Sequence, residues 1–222
     1  GFDNITIDLI YGTPGLSLKG WEENLMKANM LGVKHLSCYA LTVEPKTKLY
    51  QSIKKGLAAA PNDEKTNAQF DFLMDFARLN GFQHYEISNF GKENYLAIHN
   101  TNYWRGEKYL GLGPSAHSFN HHSRRWNVAN LNNYIKAMNV GETCYTEEVL
   151  SLADQTNEYI MTSLRTQWGC NTEKIPAQFK DTFSDSLKKI PTAYYHFSNN
   201  HLILTQAGKH FADYIASELF IL

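Results

Sequence analysis

Residues 1–90 alternate between strand-like and helix-like segments, and this alternation restricts the fold more than any other feature of the chain. A nearly continuous apolar run predicts a strand over residues 5–11, and apolar residues at alternate positions predict strands over 34–41 and 82–88. Apolar side chains at helical spacing predict helices over residues 18–31 and 63–80, with a shorter helical segment at 45–55. This order predicts an α/β fold with a parallel sheet, right-handed crossovers and ligands at the carboxyl ends of the strands.

The segments that follow the three predicted strands should meet at one edge of the sheet. They are Gly12–Gly15, Thr42–Glu44 and Ser88–Phe90. Asp8 interrupts the first strand, which we expect to be buried, and a buried carboxylate costs several kcal/mol unless it is paired. Asp8 therefore either has a structural partner, such as a lysine or a turn amide, or accepts hydrogen bonds from a ligand. His84 and Glu86 share a face of the third strand, either as an acid/base pair or as two polar residues of a half-exposed strand.

Three parallel strands do not close a barrel, and a parallel sheet needs cover on both faces. The first predicted strand begins almost at residue 1, and the chain starts with Gly1 rather than with methionine. We therefore expect this chain to be a fragment of a protein whose upstream strands are missing here.

Residues 99–126 combine aromatic, basic, histidine and glycine residues at high density, beginning with HNTNYWRGEKYLGLGPSAHS. The basic residues are Arg105, Lys108, Arg124 and Arg125, and the aromatic residues are Tyr103, Trp104, Tyr109, Phe119 and Trp126. This mixture suits a flat, acidic, partly apolar ligand, because rings stack on it, guanidinium groups bind its carboxylates and an imidazole ligates a central metal. The alternative is a plain Gly-Leu-Gly turn with solvated histidines.

The C-terminal third contains further helical patterns and one hairpin signal. Thr146 is expected to cap a long helix through Leu164, and Thr205 a final helix through Phe220, with the hairpin turn at 198–201 between them. These elements suggest a winged-helix-like domain. The predicted segments are 1–90, 91–145 and 146–222. The last segment has six Lys and Arg against nine Asp and Glu, which argues against a nucleic-acid partner.

Composition excludes several classes of protein. The net charge is −1, and no apolar run approaches the roughly 18 residues of a membrane span. The three cysteines, Cys38, Cys144 and Cys170, lie far apart in the sequence. An odd number at wide spacing argues against a disulfide framework and is typical of a cytoplasmic protein. No Cys-x-x-Cys pattern is present, so the chain contains no local zinc or iron–sulfur motif.

Several segments in series resemble one family. They are IDLIYGTPG, LSCYALTVEP, HYEISNF, HNTNYW and YLGLGPSAHS with the RRWN that follows. In order and spacing they are similar to the radical S-adenosylmethionine family of oxygen-independent coproporphyrinogen III oxidases and HemW-type heme chaperones. The resemblance covers nearly the whole chain but only the later half of the family's protein. The Cys-x-x-x-Cys-x-x-Cys motif and the Gly-Gly-Thr segment of that family are absent.

The resemblance implies that residues 1–90 are the last strands of an open (β/α)6 barrel, a partial TIM barrel. In the full-length protein it implies S-adenosylmethionine and a [4Fe–4S] cluster whose cysteines are not in this chain. By the same resemblance, Asp8, Ala40 and His117 contact S-adenosylmethionine. The isolated chain, without the cluster motif, is expected to be inactive.

The motif His-Asn-x-x-Tyr-Trp belongs to the chaperone branch of that family, where it is implicated in heme binding. It is intact here as His99, Asn100, Tyr103 and Trp104, with Arg105 next in the chain. The resemblance therefore favours a chaperone that binds heme, with His99 as a candidate iron ligand, and delivers it to heme-accepting proteins. The alternative is the oxidase, which decarboxylates coproporphyrinogen III oxidatively to protoporphyrinogen IX. The remaining expected partner is the missing N-terminal half of the same protein.

Overall fold

Three separate β-sheets contain the strands of this chain. The computed structural model describes all residues, 1–222, which divide into two units at residues 1–97 and 98–222. The first unit contains a four-stranded sheet and the second contains two three-stranded sheets, so the fold is mixed α/β. None of the helices has the length and apolar character needed to cross a membrane.

The elements of the first unit follow the predicted alternation closely. The strands are β1 (Thr6–Tyr11), β2 (His35–Ala40), β3 (Gln83–Glu86) and β4 (Asn89–Gly91), and the helices are α1 (Leu18–Met30), α2 (Lys48–Lys54) and α3 (Asp63–Leu79). Ser17 caps α1 as predicted, because its side chain accepts a hydrogen bond from the Gly20 amide. Asn62 caps α3 in the same way through the Lys65 amide. Gly32 and Gly81 follow α1 and α3 with positive φ angles, which glycine adopts at little cost.

The prediction of three adjacent parallel strands is wrong in one respect. β1 and β2 pair in parallel, but β4 lies between β2 and β3 and is antiparallel to both. The chain reverses directly after β3, and the Glu86 carboxylate stabilises the reversal by accepting hydrogen bonds from the Ser88 amide and from Asn89 Nδ2. This hairpin places β4 in the position that a directly adjacent third strand would have taken.

The core of the first unit lies on one face of its sheet, against α1 and α3. Trp21, Leu25, Leu73 and Phe90 are fully enclosed there. The opposite face of β1 is uncovered, so its side chains alternate between partly covered and exposed. The prediction that β1 is a buried strand is therefore wrong for this face. Asp8 lies on the uncovered face and is exposed.

The second unit begins with a helix and an antiparallel sheet. Its first elements are α4 (Ile98–Trp104), β5 (His117–Phe119), β6 (Ser123–Asn127), α5 (Leu131–Asn139) and β7 (Tyr145–Val149), and the sheet order is β5-β6-β7. Thr146 lies within β7 and does not cap a helix. β7 pairs with β6 instead, and the next helix begins after Ser151, whose side chain and that of Asp154 form a reciprocal capping box. β7 also crosses the segment boundary that the sequence predicts at residues 145 and 146.

The remaining elements form a small helical layer with a second sheet. They are α6 (Leu152–Leu164), β8 (Cys170–Asn171), α7 (Lys180–Leu187), β9 (Tyr195–Ser198), β10 (His201–Leu204), α8 (Gln206–Lys209) and α9 (Ala212–Glu218), with the sheet order β8-β10-β9. The predicted hairpin is β9 and β10, with Asn199 and Asn200 at positive φ in its turn. Thr205 caps α8 through the Gly208 amide, but the predicted final helix is interrupted before α9.

Candidate functional site

The HNTNYW segment forms the single short helix α4. His99 and Tyr103 are four residues apart and therefore lie on the same face of the helix. Their rings meet edge to face, with centroids 4.8 Å apart and planes at 87°. Because the Arg105 amide hydrogen-bonds to the Thr101 carbonyl, helical bonding continues to the end of the segment.

A continuous series of ring contacts leads away from this helix. The Tyr103 and Tyr109 centroids are 4.8 Å apart, those of Tyr109 and Phe119 are 5.9 Å apart, and those of Phe119 and His121 are 5.5 Å apart. Tyr109 and Phe119 are also joined by a pair of backbone hydrogen bonds of 3.0 and 2.9 Å. This β-bridge holds the central rings of the series in place.

These rings form part of the wall of a pocket of about 420 Å³, which is in the size range of small-molecule sites. Most of its lining comes from three parts of the second unit: the end of α4, the sheet strands and α6. The aromatic and histidine residues are Tyr103, Trp104, Tyr109, Phe119, His121 and Tyr159, and the charged residues are Arg105, Arg124, Glu158 and Lys174. The pocket is therefore lined mainly by aromatic and cationic groups.

Arg124 and Glu158 form an ion pair in this pocket, with 2.8 Å between Arg124 Nη2 and Glu158 Oε1. The guanidinium also lies over the Phe119 ring, 5.7 Å from its centroid. Arg124 Nε is enclosed and has no hydrogen-bond acceptor. An enclosed donor without an acceptor costs about 1–3 kcal/mol, so the protein alone does not satisfy this guanidinium.

Burial sets the protonation behaviour of two further groups in the pocket. It raises the pKa of Glu158, and the nearby Arg124 charge opposes that rise without cancelling it. Burial also raises the pKa of Tyr109. Glu158 therefore takes up a proton more readily than an exposed glutamate, and Tyr109 remains a neutral phenol at physiological pH.

The other two cations of the pocket are supported by aromatic rings. Arg105 lies over the Trp168 ring, 4.7 Å from its centroid, and Lys174 Nζ lies 5.4 Å from the Tyr159 centroid. Both side chains belong to exposed residues. They retain freedom to turn toward a bound anion, whereas Arg124 is half-buried and held by Glu158.

The structure brings together only some of the residues that the sequence suggests for heme. Tyr103, Trp104 and Arg105 line the pocket, whereas His99 and Asn100 do not. His99 is exposed and reaches the pocket only through its contact with Tyr103. His121 lines the pocket directly.

Five lining residues of the pocket lie far along the chain from the motif. They come from α6 and the turn after β8, and they are Gln155, Glu158, Tyr159, Thr162 and Lys174. Sequence reasoning missed them, and no local pattern marks them, because only tertiary packing brings α6 beside these rings.

The Gly-Leu-Gly segment has a structural role at its first glycine. A Cβ atom at Gly111 would collide with the His117 carbonyl, so the close approach here is between two parts of the backbone. Asn127 Nδ2 donates hydrogen bonds to the Gly111 and Gly113 carbonyls. His117 stacks on Trp126, and both border a separate cavity of about 630 Å³.

The residues suggested for S-adenosylmethionine are not gathered on one surface of the first unit. Asp8 is in register with Ser37 of β2 and lies on the uncovered face of the sheet. Ala40 is in register with Tyr11, so its side chain lies on the opposite face at the end of β2. His117 belongs to the second unit.

The sheet face on which Asp8 lies is exposed at β1 but contains a network of buried polar groups at β2. His35 bridges Thr6 Oγ1 and the Tyr85 hydroxyl, at 2.8 and 2.7 Å. Burial lowers the His35 pKa more than the Asp8 charge raises it, so this imidazole is neutral at pH 7. Alongside it, Ser37 donates to Asn89. The network orders the face on which Asp8 lies.

His84 and Glu86 both make structural contacts in the first unit. His84 stacks on Phe90, with centroids 4.2 Å apart, and its Nε2 lies 3.0 Å from the Ile87 carbonyl. Glu86 is 1% exposed and holds the β3–β4 reversal. A bulge separates the two residues in the strand. Both therefore have structural roles, and Glu86 is more deeply buried than a half-exposed strand predicts.

The cysteines do not fit a [4Fe–4S] cluster. Cys38 and Cys170 are buried in different units, and Cys144 is only partly exposed. Burial raises the pKa of the Cys38 thiol to about 12 and that of Cys170 to about 11, which disfavours the thiolates that ligate iron. No group of three or more potential metal ligands is present in the chain.

This chain is similar in sequence to several known proteins. No family model matches the chain. The heme chaperone HemW of Lactococcus lactis is 35% identical over 183 residues, which are 82% of this chain and 48% of that protein. HemW of Bacillus subtilis is 33% identical over 216 residues, which are 94% of this chain and 57% of that protein.

A solved structure shares the fold. Coproporphyrinogen III oxidase (HemN) from Escherichia coli, described as a radical SAM enzyme, matches with a TM-score of 0.76 at 19% identity, over 99% of this chain and 55% of that one. The chain thus spans about half the length of the proteins it matches. The resemblance seen in the sequence is confirmed: the chain is related to the radical S-adenosylmethionine proteins of the HemW heme-chaperone and HemN oxidase type, over the later part of their sequence.

Proposed function

We propose that this chain is the heme-binding part of a heme chaperone. The relatives named above are called heme chaperones, and the HNTNYW segment is intact in α4. The observation that supports the proposal most strongly is the series of ring contacts from His99 to His121, which borders a pocket with cationic side chains. Aromatic walls suit a flat macrocycle and cations suit its carboxylates.

In this proposal His99 ligates the heme iron, and the other motif residues hold the macrocycle. His99 is exposed and therefore accessible to a ligand, and its ring is oriented by Tyr103. Tyr103 and Trp104 supply apolar surface, Arg105 supplies positive charge, and Asn100 is the remaining polar residue of the motif. The bound heme would then pass to an acceptor protein.

The whole protein is proposed to use S-adenosylmethionine and a [4Fe–4S] cluster, as its family name implies. Asp8, Ala40 and His117 are the candidate contacts to S-adenosylmethionine in this chain, and the cluster ligands belong elsewhere in the protein. We also infer that β1 and β2 are strands of the partial barrel. Residues 146–222, with helices followed by the β9–β10 hairpin, are proposed to be winged-helix-like.

The second candidate function is that of a coproporphyrinogen III oxidase. The fold match to HemN favours it, and a cation-lined pocket also suits a substrate with several carboxylates. The two functions differ in their need for an iron ligand, because coproporphyrinogen contains no metal. A histidine whose removal weakens binding of the iron complex alone therefore favours the chaperone.

An absorbance titration with heme tests the proposal. We expect saturable binding with a shifted Soret band, and weaker binding with an altered band for His99→Ala. His196→Ala is the matched control, because His196 is an exposed histidine in β9 that does not line the pocket. A variant at His121 shows whether the histidine inside the pocket is the ligand instead.

Three results would count against the proposal. Absence of saturable binding by the wild-type chain contradicts heme binding outright. An equal loss of heme affinity in His99→Ala and His196→Ala shows that the effect is not specific to the motif. If heme affinity falls in His121→Ala and not in His99→Ala, the iron ligand is His121 of the pocket and not His99 of α4.

A further inference from the structure

Arg124 is the one cation of the pocket that is both half-buried and held by an ion pair, and it lies outside the HNTNYW segment. We propose that Arg124 binds a carboxylate of the tetrapyrrole and so selects ligands with free propionate groups. This inference rests on the proposed function, because it assigns a specificity-determining residue to the same site.

Arg124 and the next residue, Arg125, have different surroundings because both lie in strand β6. Side chains alternate along a strand, so Arg124 and Arg125 lie on opposite faces of the sheet. Arg124 lines the pocket, whereas Arg125 does not and pairs instead with Glu147 at 3.0 Å. Two adjacent arginines therefore differ in access to the pocket, and Arg125 provides a matched control.

Protein groups orient the guanidinium of Arg124 but satisfy only part of its hydrogen-bond donors. Glu158 pairs with Nη2, the guanidinium carbon lies over the Phe119 ring, and the enclosed Nε has no acceptor. A guanidinium presents five donors in a rigid fork that matches a carboxylate, and the Arg124 side chain, 36% exposed, keeps part of that fork open to solvent beside its pair with Glu158. Glu158 thus positions Arg124 without satisfying it.

The charges around the pocket favour an anion. Arg105, Arg124 and Lys174 line it, and Glu158 is its only carboxylate. Arg105 and Lys174 are exposed and rest on rings, so each pays more side-chain entropy to bind an anion than Arg124 does. Arg124 is therefore the cation best prepared for a carboxylate, with the other two in supporting positions.

The test uses metal-free protoporphyrin IX and its dimethyl ester, whose binding is followed by porphyrin fluorescence. The ester keeps the macrocycle and removes both negative charges. For the wild-type chain we expect the free acid to bind about 10- to 100-fold more tightly than the ester, the range of one charge-assisted hydrogen-bond pair. This comparison needs no variant, so it does not depend on the folding of a mutant.

Substitutions then locate the effect. Arg124→Gln should remove most of the preference for the free acid and leave ester binding unchanged, whereas Arg125→Gln should leave both unchanged. Arg124→Gln also leaves the Glu158 carboxylate unpaired and able to repel the ligand. The double variant Arg124→Gln with Glu158→Gln removes that repulsion, and we expect it to bind the free acid as weakly as it binds the ester.

The outcomes separate this inference from the proposed function. Equal affinity for acid and ester, an unchanged preference in Arg124→Gln, or a restored preference in the double variant refutes the role of Arg124. If heme binds through His99 while any of these results is found, the chaperone proposal stands and the inference fails. If protoporphyrin shows the Arg124 effect but heme binding is independent of every histidine variant, the inference stands and the chaperone proposal fails.

Discussion

Gln69 of α3 holds the loop after β1, and replacing it should destabilise the first unit measurably. Its side chain is 2% exposed; Oε1 accepts a 2.7 Å hydrogen bond from the Gly12 amide and Nε2 donates a 3.0 Å bond to the Leu16 carbonyl. Gln69→Leu keeps a similar volume and removes both bonds. The buried Gly12 amide is left without a partner at a cost of about 1–3 kcal/mol, and the Leu16 carbonyl adds to that.

The expected loss in free energy of unfolding is therefore about 2–4 kcal/mol in urea denaturation. Hydrogen exchange provides a local readout, because the Gly12 amide should lose its protection while amides in the middle of α3 keep theirs. Asp75→Ala is the matched control on the same helix, since its pair with Arg78 is exposed and contributes little. A loss below about 0.5 kcal/mol, or an unchanged Gly12 exchange rate, would refute this reasoning.

Three further predictions concern the second unit and the thiols. Ser151→Ala removes one half of the capping box of α6 and should cost about 1 kcal/mol in urea denaturation, and an unchanged midpoint would contradict the assigned helix start. Gly111→Ala forces a Cβ atom against the His117 carbonyl and should cost about 1–3 kcal/mol, whereas Leu112→Ala, at an 81% exposed neighbour, should cost almost nothing. A thiol reagent at pH 8 should modify Cys144 first, because burial raises the pKa of Cys38 to about 12 and that of Cys170 to about 11. Cys38 and Cys170 should become reactive only when the protein unfolds. Rapid modification of all three thiols in the native protein would show that the assigned burial is wrong.

Local features of the first unit were predictable because each depends on a few neighbouring residues. The helix start at Ser17 depends on one hydroxyl and one amide three residues later. The run of apolar residues in β1 and the spacing in α3 are equally local, and both elements are present. The order of the motifs was enough to identify the relatives, since it needs no knowledge of which segments touch.

The candidate site was predictable only in part. The density of rings and cations indicated a ligand site in residues 99–126, whereas the spacing of the HNTNYW motif did not predict the helix that brings His99 and Tyr103 together. The spacing did not predict that His99 lies outside the pocket or that Glu158 faces Arg124. Those relations join residues from separate elements, and side-chain alternation alone does not say which face another element covers.

The sequence by itself determined the α/β alternation of the first unit, most element ends there, and the relationship to the heme-chaperone and oxidase proteins. Tertiary structure alone decided that β4 separates β2 from β3, that Thr146 joins a strand, and that Asp8 lies on an uncovered sheet face. The physical reason is the range of the interactions. Caps and periodicity act over a few residues, whereas strand pairing, burial and the Arg124–Glu158 ion pair depend on contacts between distant segments, which a linear pattern does not specify.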